Sequence, residues 1–376
     1  MTLAQALDAV QSAPRKRARF HPLTVQEVRR LTEDSVEVAF RVPDALADEY
    51  DYEPGQYLAL RARVGGKDLR RSYSICAAPS DGALRVAIKR DVGGVFSSWA
   101  NDSLAPGDVL EVMSPQGSFT TRLDPTSTKH YAAIVAGSGI TPVMSLARTI
   151  LDSAPHARFS LVYSNRTAGD VMFLEELADL KDRFPARFAL YHVLTREVRN
   201  SDLMSGRIDA DRLSTFLTAL VRPSDIDEWF ICGPFDLVQL CRDTLEASGV
   251  PRNRVRFELF TTDRPQYPEG SAGAPIPKDK GQGEHSITFT LDGRTALVTT
   301  PVHGRETVLN AALRIRSDVP FACAGGVCGT CRAKLTGGTV EMEENYALEP
   351  EELEAGYILT CQARPTSQAV TVTYDY

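Results

Sequence analysis

The chain lacks any stretch approaching the ~20 consecutive apolar residues that cross a bilayer as a helix; its best run, Tyr131 to Gly137 (YAAIVAG), is strand-sized. Excess positive charge is missing too. Over 376 residues, 42 Lys plus Arg face 49 Asp plus Glu, a net charge of −7, which argues against sequence-independent nucleic-acid binding. The order of a secretory signal is also absent, because Arg15, Lys16, Arg17 and Arg19 follow rather than precede the short apolar face of Leu3, Leu7 and Val10. Residues 1–20 therefore read as a weakly ordered tail, with a mitochondrial presequence as the alternative. Cysteines are few, seven in all, an odd number not spread like a disulfide scaffold; four fall in the last 54 residues. That usage fits a reducing, cytoplasmic compartment. No long internal repeat is present.

What is there has the length of two or three domains. From residue 21 to about 125, short runs such as Ser35 to Phe40 (SVEVAF), Tyr57 to Ala62 (YLALRA) and Leu84 to Ile88 (LRVAI) alternate polar and apolar residues with turns between, predicting an antiparallel β-barrel. Over residues 126–260, strand-length apolar runs alternate with helix-length segments, the βαβ rhythm of an α/β parallel sheet. Residues 261–285 hold Pro or Gly at 8 of 25 positions and read as a flexible linker. Residues 286–376 read as a small α+β module that opens with a hairpin around Asp292-Gly293 and continues into a helical Glu306 to Arg314.

That module carries Cys323-Ala-Gly-Gly-Val-Cys328-Gly-Thr-Cys331 with Cys361 downstream, the C-x4-C-x2-C…C spacing of plant-type [2Fe-2S] clusters. Gly325, Gly326 and Gly329 suit a loop that wraps an inorganic core. Structural zinc is the alternative, but it usually takes two short cysteine pairs, whereas the fourth cysteine here is solitary.

Upstream, the strand Ala132 to Ala136 runs into Gly137-Ser-Gly139-Ile-Thr141-Pro142 and then a helix. Such a turn aims backbone N–H groups and a helix dipole at a pyrophosphate, and Pro142 fits a first helical turn that needs no N–H there. An ordinary tight turn is the alternative reading. The acid that would accept from the ribose 2′-hydroxyl of NAD is missing; Ser164, Asn165 and Arg166 stand after the second strand instead. An Arg accommodates a 2′-phosphate, so the sequence favours NADPH over NADH, with Ser164 and Arg196 as further phosphate contacts.

Arg71-Ser-Tyr73-Ser74 on a barrel strand, upstream of this loop, resembles the ferredoxin-NADP reductase superfamily. The resemblance implies an FAD whose pyrophosphate is bound by Arg71, whose ring stacks on Tyr73 and whose N5 lies near Ser74. It implies a second pyrophosphate contact at Gly94-Val-Phe-Ser97, where a helix opens. Cys232, in Cys232-Gly233-Pro234, would lie beside the nicotinamide, with Glu258 and Phe260 near the flavin. From the residues alone, Cys232 reads equally well as a small buried hydrophobe.

The order of barrel, nucleotide domain and C-terminal β-grasp ferredoxin is similar to reductase components of multicomponent oxygenases. The nearest resemblance, over residues 21–376, is to reductase subunits of ring-1,2-phenylacetyl-CoA epoxidases, carried by RRSYSIC, VAGSGITP, ICGPFDLV and CAGGVCGTC. It implies electron transfer from NADPH through FAD and the cluster to the oxygenase component of a multicomponent monooxygenase, here a di-iron epoxidase. Rieske-type or steroid hydroxylases are alternative acceptors, and a redox sensor without turnover is the alternative class. Finally, Glu341 to Glu354 (EMEENYALEPEELE) holds seven acidic residues and no basic one, which predicts either a docking face for the electron acceptor or a solvated surface.

Overall fold

The computed structural model describes residues 19–91, 93–198, 201–261, 283–302, 306–316, 319–321, 326, 329–345, 347–348 and 350–375. Its strands form three principal sheets that follow one another along the chain.

The first sheet contains β1 (Phe20–Thr32), β2 (Ser35–Arg41), β3 (Tyr57–Val64), β4 (Lys67–Ser74), β5 (Leu84–Lys89) and β6 (Val109–Met113), in the order β4-β3-β6-β1-β2-β5 with antiparallel pairing throughout. Its interior is aliphatic, with Leu23, Val38, Leu58, Leu60, Val86 and Val112 all fully buried. The strand begins at Phe20, one residue before the expected barrel. Helix α1 (Val95–Asp102) closes one end by inserting Phe96 and Ala100 into that core.

The second sheet is parallel: β7 (His130–Ala136), β8 (Arg158–Asn165), β9 (Phe188–Leu194), β10 (Glu228–Pro234) and β11 (Val255–Thr261), in the order β11-β10-β7-β8-β9. Helices α2 (Ile140–Ser153), α3 (Leu174–Arg183), α4 (Ala210–Ala219) and α5 (Phe235–Ala247) connect its strands. Apolar runs buried on both faces are what a helix-covered parallel sheet requires. Strand order reverses between β7 and β10, so a crevice forms beyond their carboxyl ends, the place where open α/β sheets bind ligands.

The third sheet, β13-β12-β18-β14-β16, comprises β12 (Glu284–Leu291), β13 (Arg294–Pro301), β14 (Arg332–Gly337), β16 (Tyr357–Leu359) and β18 (Ala369–Thr373); β15 (Val340–Met342) pairs separately with β17 (Ala363–Pro365). Helix α6 (Val308–Leu313) packs on it, and α7 (Pro350–Glu354) precedes β16. The expected hairpin turn is present: Asp292 and Gly293 both take positive φ, 61° and 67°, and their N–H groups donate to the Asp375 carboxylate. First and last strands pair in parallel beneath a helix, giving a β-grasp module.

Candidate electron-transfer site

Strand alternation divides the RxYS segment between two faces of β4. Arg71 and Tyr73 share one face, where the Tyr73 ring lies 5.8 Å from Phe96 of α1 and Arg71 donates to the Arg70 carbonyl. Both are half-buried. Beside them, α1 starts at Gly94 with no side-chain cap, which leaves first-turn N–H groups for an anion. Gly94 leaves room for Ser97, because a Cβ there would come within 2.6 Å of Ser97 Oγ and force that hydroxyl to shift. That hydroxyl accepts from Asp91 N and donates to the Gly94 carbonyl. A half-buried cation, an aromatic face and an uncapped helix start on one side of the sheet fit an FAD.

Ser74 points to the other face. It is buried, and its Oγ donates to Glu258 Oε2 at 3.3 Å. Glu258 stands on β11 in register with Cys232 of β10, so three segments widely separated in sequence converge where the barrel meets the crevice. Cys232 is fully buried, and burial first, then the Glu258 carboxylate, push its thiol well above the ordinary value. At neutral pH it is therefore an S–H. Gly233 adopts φ +153° and passes close to Ala136. Phe260 lies on β11, and its side chain lies outside the described residues.

At the end of β7, Gly137 takes φ +54°, and Tyr163 OH donates to its carbonyl at 3.0 Å. Gly139 is where the loop crosses β10: a Cβ would meet the Cys232 carbonyl oxygen at 2.3 Å. Thr141 Oγ1 donates back to Ser138 O, Pro142 occupies the first turn of α2, and no side chain caps that helix. This cradle fits a pyrophosphate. The switch point thus holds Gly137, Gly139, Thr141, Pro142, Cys232 and Gly233 together.

Ser164 is buried near the end of β8, whereas Arg166 and Arg196 line a cavity of about 390 Å³ with Glu33, Asp34, Thr167 and Asp170. Arg196 N donates to the Arg166 carbonyl. The Arg166 guanidinium, although exposed, bridges Asp34 of the β1–β2 turn, at 2.9 Å, and Asp170.

Of the four cluster cysteines, Cys323 and Cys328 lie outside the described residues. Cys331 and Cys361 are buried, and the Cys331 carbonyl accepts from Thr360 N and Thr360 Oγ1, holding the two thiols' strands together. Gln362 Nε2 donates to Cys361 Sγ at 3.7 Å. Gly326 at φ +77° and Gly329 at φ +67° supply the left-handed turns, and a Cβ on Gly326 would come within 3.0 Å of the Glu344 carbonyl oxygen. Buried thiols, a sulfur-directed N–H and left-handed glycines fit a [2Fe-2S] cluster. Sequence reasoning missed Tyr57, Arg70, Tyr163 and Thr330; of these, Thr330 inside the cysteine motif and Arg70 at the head of RRSYSIC stood where a signal could be read.

Comparisons with known proteins agree with this division. A family model of an oxidoreductase FAD-binding domain matches residues 22–121, an oxidoreductase NAD-binding domain matches 133–243, and a 2Fe-2S iron-sulfur cluster binding domain matches 289–366. The chain is 41% identical to one of the subunits of the 1,2-phenylacetyl-CoA epoxidase of Escherichia coli, over 95% of its length and 98% of that protein's. It is 35% identical to the ferredoxin reductase component of 3-ketosteroid-9-alpha-monooxygenase from Rhodococcus rhodochrous, over 94% of this chain and 96% of that one. Phthalate dioxygenase reductase, a modular structure for electron transfer from pyridine nucleotides to [2Fe-2S], shares the fold at a TM-score of 0.57 and 21% identity, covering 94% of this chain and 98% of its own. The protein is an oxidoreductase of the electron-transfer type that uses FAD, NAD(P)H and a [2Fe-2S] cluster, and it belongs to the family of oxygenase reductase components that join those three binding domains in that order.

Proposed function

We propose that this chain takes a hydride from NADPH and delivers electrons singly to the di-iron oxygenase of a phenylacetyl-CoA epoxidase. The observation that carries the reading is the convergence of Ser74, Glu258 and Cys232, with the Gly139 turn pressed against the Cys232 carbonyl: donor and acceptor crevices open onto one point. FAD and the cluster, when bound, supply the exchange between one two-electron and two one-electron transfers.

The protein's own residues bind, orient and exclude water. Arg71, Gly94 and Ser97 would hold the FAD pyrophosphate and Tyr73 its ring, with Phe260 at the other side. Ser74 and Glu258 would hold a proton at the flavin edge through their shared hydrogen bond. Gly137, Gly139, Thr141 and Pro142 would seat the nicotinamide dinucleotide, and Gly233 would let the backbone approach. Cys232, neutral and small, would pack against the nicotinamide without competing as a nucleophile. Ser164, Arg166 and Arg196 would meet the 2′-phosphate, and Cys323, Cys328, Cys331 and Cys361 would ligate the irons. In this division residues 21–125 bind FAD, 126–260 the nucleotide and 286–376 the cluster, with 261–285 as the tether.

The purified protein is expected to carry one FAD and one cluster with acid-labile sulfide. Zinc without labile sulfide would overturn the cluster assignment, and NADPH-dependent reduction of cytochrome c would exclude a sensor without turnover. The acceptor is tested by pull-down from the native host, followed by reconstitution with the co-purifying oxygenase and NADPH- and O2-dependent epoxidation of phenylacetyl-CoA. A steroid hydroxylase recovered instead would establish the second reading, which rests on the 35% identity to the 3-ketosteroid reductase component.

A further inference from the structure

The face of β3 and β4 opposite Arg71 and Tyr73 is covered by the cluster module. Cross-strand partners share a face, so Tyr57 with Ser74, Ala59 with Ser72 and Arg61 with Arg70 lie on one surface. Among the described residues, Tyr57 and Arg70 tie the module to it. Tyr57, only 3% exposed, shares a buried 2.7 Å hydrogen bond with Oγ1 of Thr330, the residue immediately before Cys331. Arg70, 5% exposed, donates through its guanidinium to the Val319 carbonyl at 2.6 Å. The same guanidinium lies over the rings of Phe20, at 5.2 Å, and Phe321, at 4.9 Å. Phe321 stands two positions before Cys323.

Both ties therefore grip the flanks of the cysteine loop. Their barrel ends are rigid: a Cβ at Gly117 would come within 3.0 Å of the Tyr57 ring, and the Tyr57 backbone exchanges two hydrogen bonds with Gln116. A buried Arg with a carbonyl partner and two aromatic faces is a strongly oriented contact, one that Lys cannot reproduce. Tyr57 also pairs in register with Ser74, the residue assigned to the flavin edge.

We infer that Tyr57 and Arg70 form a latch that seats Val319, Phe321 and Thr330, the described neighbours of the cluster cysteines, on the barrel one strand away from the flavin edge, and that this seating sets the rate at which electrons pass from FAD to the cluster. The inference rests on the assignment of Arg71–Ser74 to FAD. Each NADPH supplies two electrons as one hydride and each reduction of the cluster takes one, so the seated geometry is used twice per turnover, with no bond to the latch residues formed or broken. Tyr57 and Arg70 are positioning residues, since they act through where they hold Thr330, Val319 and Phe321.

The test uses the full-length holoprotein and the variants Tyr57→Phe, Thr330→Val and Arg70→Lys. Hydrogen exchange over residues 319–321 and 329–332 reads the seating directly, and NADPH-driven reduction of cytochrome c, compared with that of ferricyanide, reads its consequence. For each variant, exchange of these segments should accelerate about tenfold. Cytochrome c reduction should fall severalfold, while FAD content, cluster content and ferricyanide reduction stay at wild-type level. Wild-type exchange and a wild-type cytochrome c rate in Tyr57→Phe and Arg70→Lys would overturn the latch, as would loss of FAD from Tyr57→Phe, which would place that hydroxyl in the flavin site. Failure of the FAD assignment is distinguishable: Arg71→Ala would then keep its full FAD content whatever the exchange data show.

Discussion

The barrel is joined to its two neighbours by different kinds of seam. Against the parallel sheet it shares a core: Cys76, Ala87 and Phe119 of the barrel segment are buried in one cluster with Tyr131, Val143, Met144 and Phe230, and the Phe119 and Phe230 rings meet edge to face at 5.3 Å. Buried and charged ties reinforce that core, including Ser145 Oγ to the Ala77 carbonyl at 2.6 Å, Arg29 to Glu176 and Arg148 to Asp81. The β-grasp module instead completes a core of its own around Ile287, Phe289, Leu309, Leu359 and Val372. Among the described residues, its ties to the barrel include the Tyr57 and Arg70 contacts. A seam that shares apolar core cannot open without exposing it to water, whereas a polar latch between two complete cores can. Hydride transfer needs donor and acceptor crevices fixed relative to each other; an electron carrier that must also reach an external protein needs a separable one.

The sharpest break between the two halves is functional. Cys331→Ser should remove the cluster and reduce cytochrome c activity to background, while NADPH-driven ferricyanide reduction stays near wild type, because ferricyanide takes electrons from flavin. Iron and labile-sulfide analysis with both assays checks this. Simultaneous loss of both activities, with FAD retained, would show that the order of transfer is wrong.

The next break is energetic. Truncating Phe119 to Ala in the shared core should cost about 3–5 kcal/mol. If the seam is fused, flavin release and loss of the parallel sheet's helical signal should shift together to lower temperature. The visible absorbance of the cluster, reporting the separate core, should bleach at its wild-type temperature. Separate shifts of the flavin and helical signals would mean that barrel and parallel sheet unfold independently.

The fused seam and the latch differ in how far the sequence discloses them. Strands such as Ser35 to Phe40 and Tyr57 to Ala62 are legible because period-two alternation reports the barrel's interior, and the βαβ rhythm reports the parallel sheet. Gly137, Gly139 and the close trio Cys323, Cys328 and Cys331 are legible because short spacings report local backbone geometry, whereas Cys361, 30 positions on, is legible only as the fourth member of that motif. The Tyr57–Thr330 bond joins positions 273 apart and Arg70–Val319 joins positions 249 apart, and no periodicity encodes such pairings. Arg70 beside Arg71 reads as one basic pair, yet strand alternation sends the two to opposite faces.

Arg166 shows the same limit and gives a smaller effect. Its place after β8 is the signal behind the proposed phosphate contact; its bridge from Asp170 to Asp34 on the barrel has no signal in the sequence. Charge-assisted bonds to a phosphate are worth ~1.5–3 kcal/mol, so Arg166→Ala should raise the Michaelis constant for NADPH by about one to two orders of magnitude and leave NADH little changed. Steady-state kinetics with both nucleotides checks this, and equal losses would refute the assignment. Asp34 competes for the same guanidinium. Burial raises its carboxyl pKa, but bonds from Lys89 and Thr32 and the charges of Lys89 and Arg166 outweigh that and hold it below the ordinary value. Its contribution to the fused seam is therefore complete above the ordinary carboxyl range and is lost as pH falls through the lower folded value. Asp34→Asn should flatten that acid limb in thermal unfolding and lower the Michaelis constant for NADPH.

The smallest effect is expected on the outward face of the separable module, in the acidic run Glu341 to Glu354. Among its described carboxylates, Glu352 pairs with Arg332, a largely buried guanidinium that also lies over the Tyr357 ring, and Glu343 pairs with Arg364. Replacing Glu352 would remove a carboxylate partner from a buried cation and confuse docking with stability. The exposed Glu351 and Glu354 of α7 are the clean probes. Complementary surface charge mainly accelerates encounter and is screened over about 8 Å in physiological salt. Glu351→Gln/Glu354→Gln should therefore slow reduction of the oxygenase by about two- to fivefold at low ionic strength and converge with wild type at high salt. The second-order rate against ionic strength decides it. A flatter slope for the variant would make this face the acceptor's landing site, and parallel slopes would leave the run as solvated surface, with docking sought instead on the loop that the latch covers.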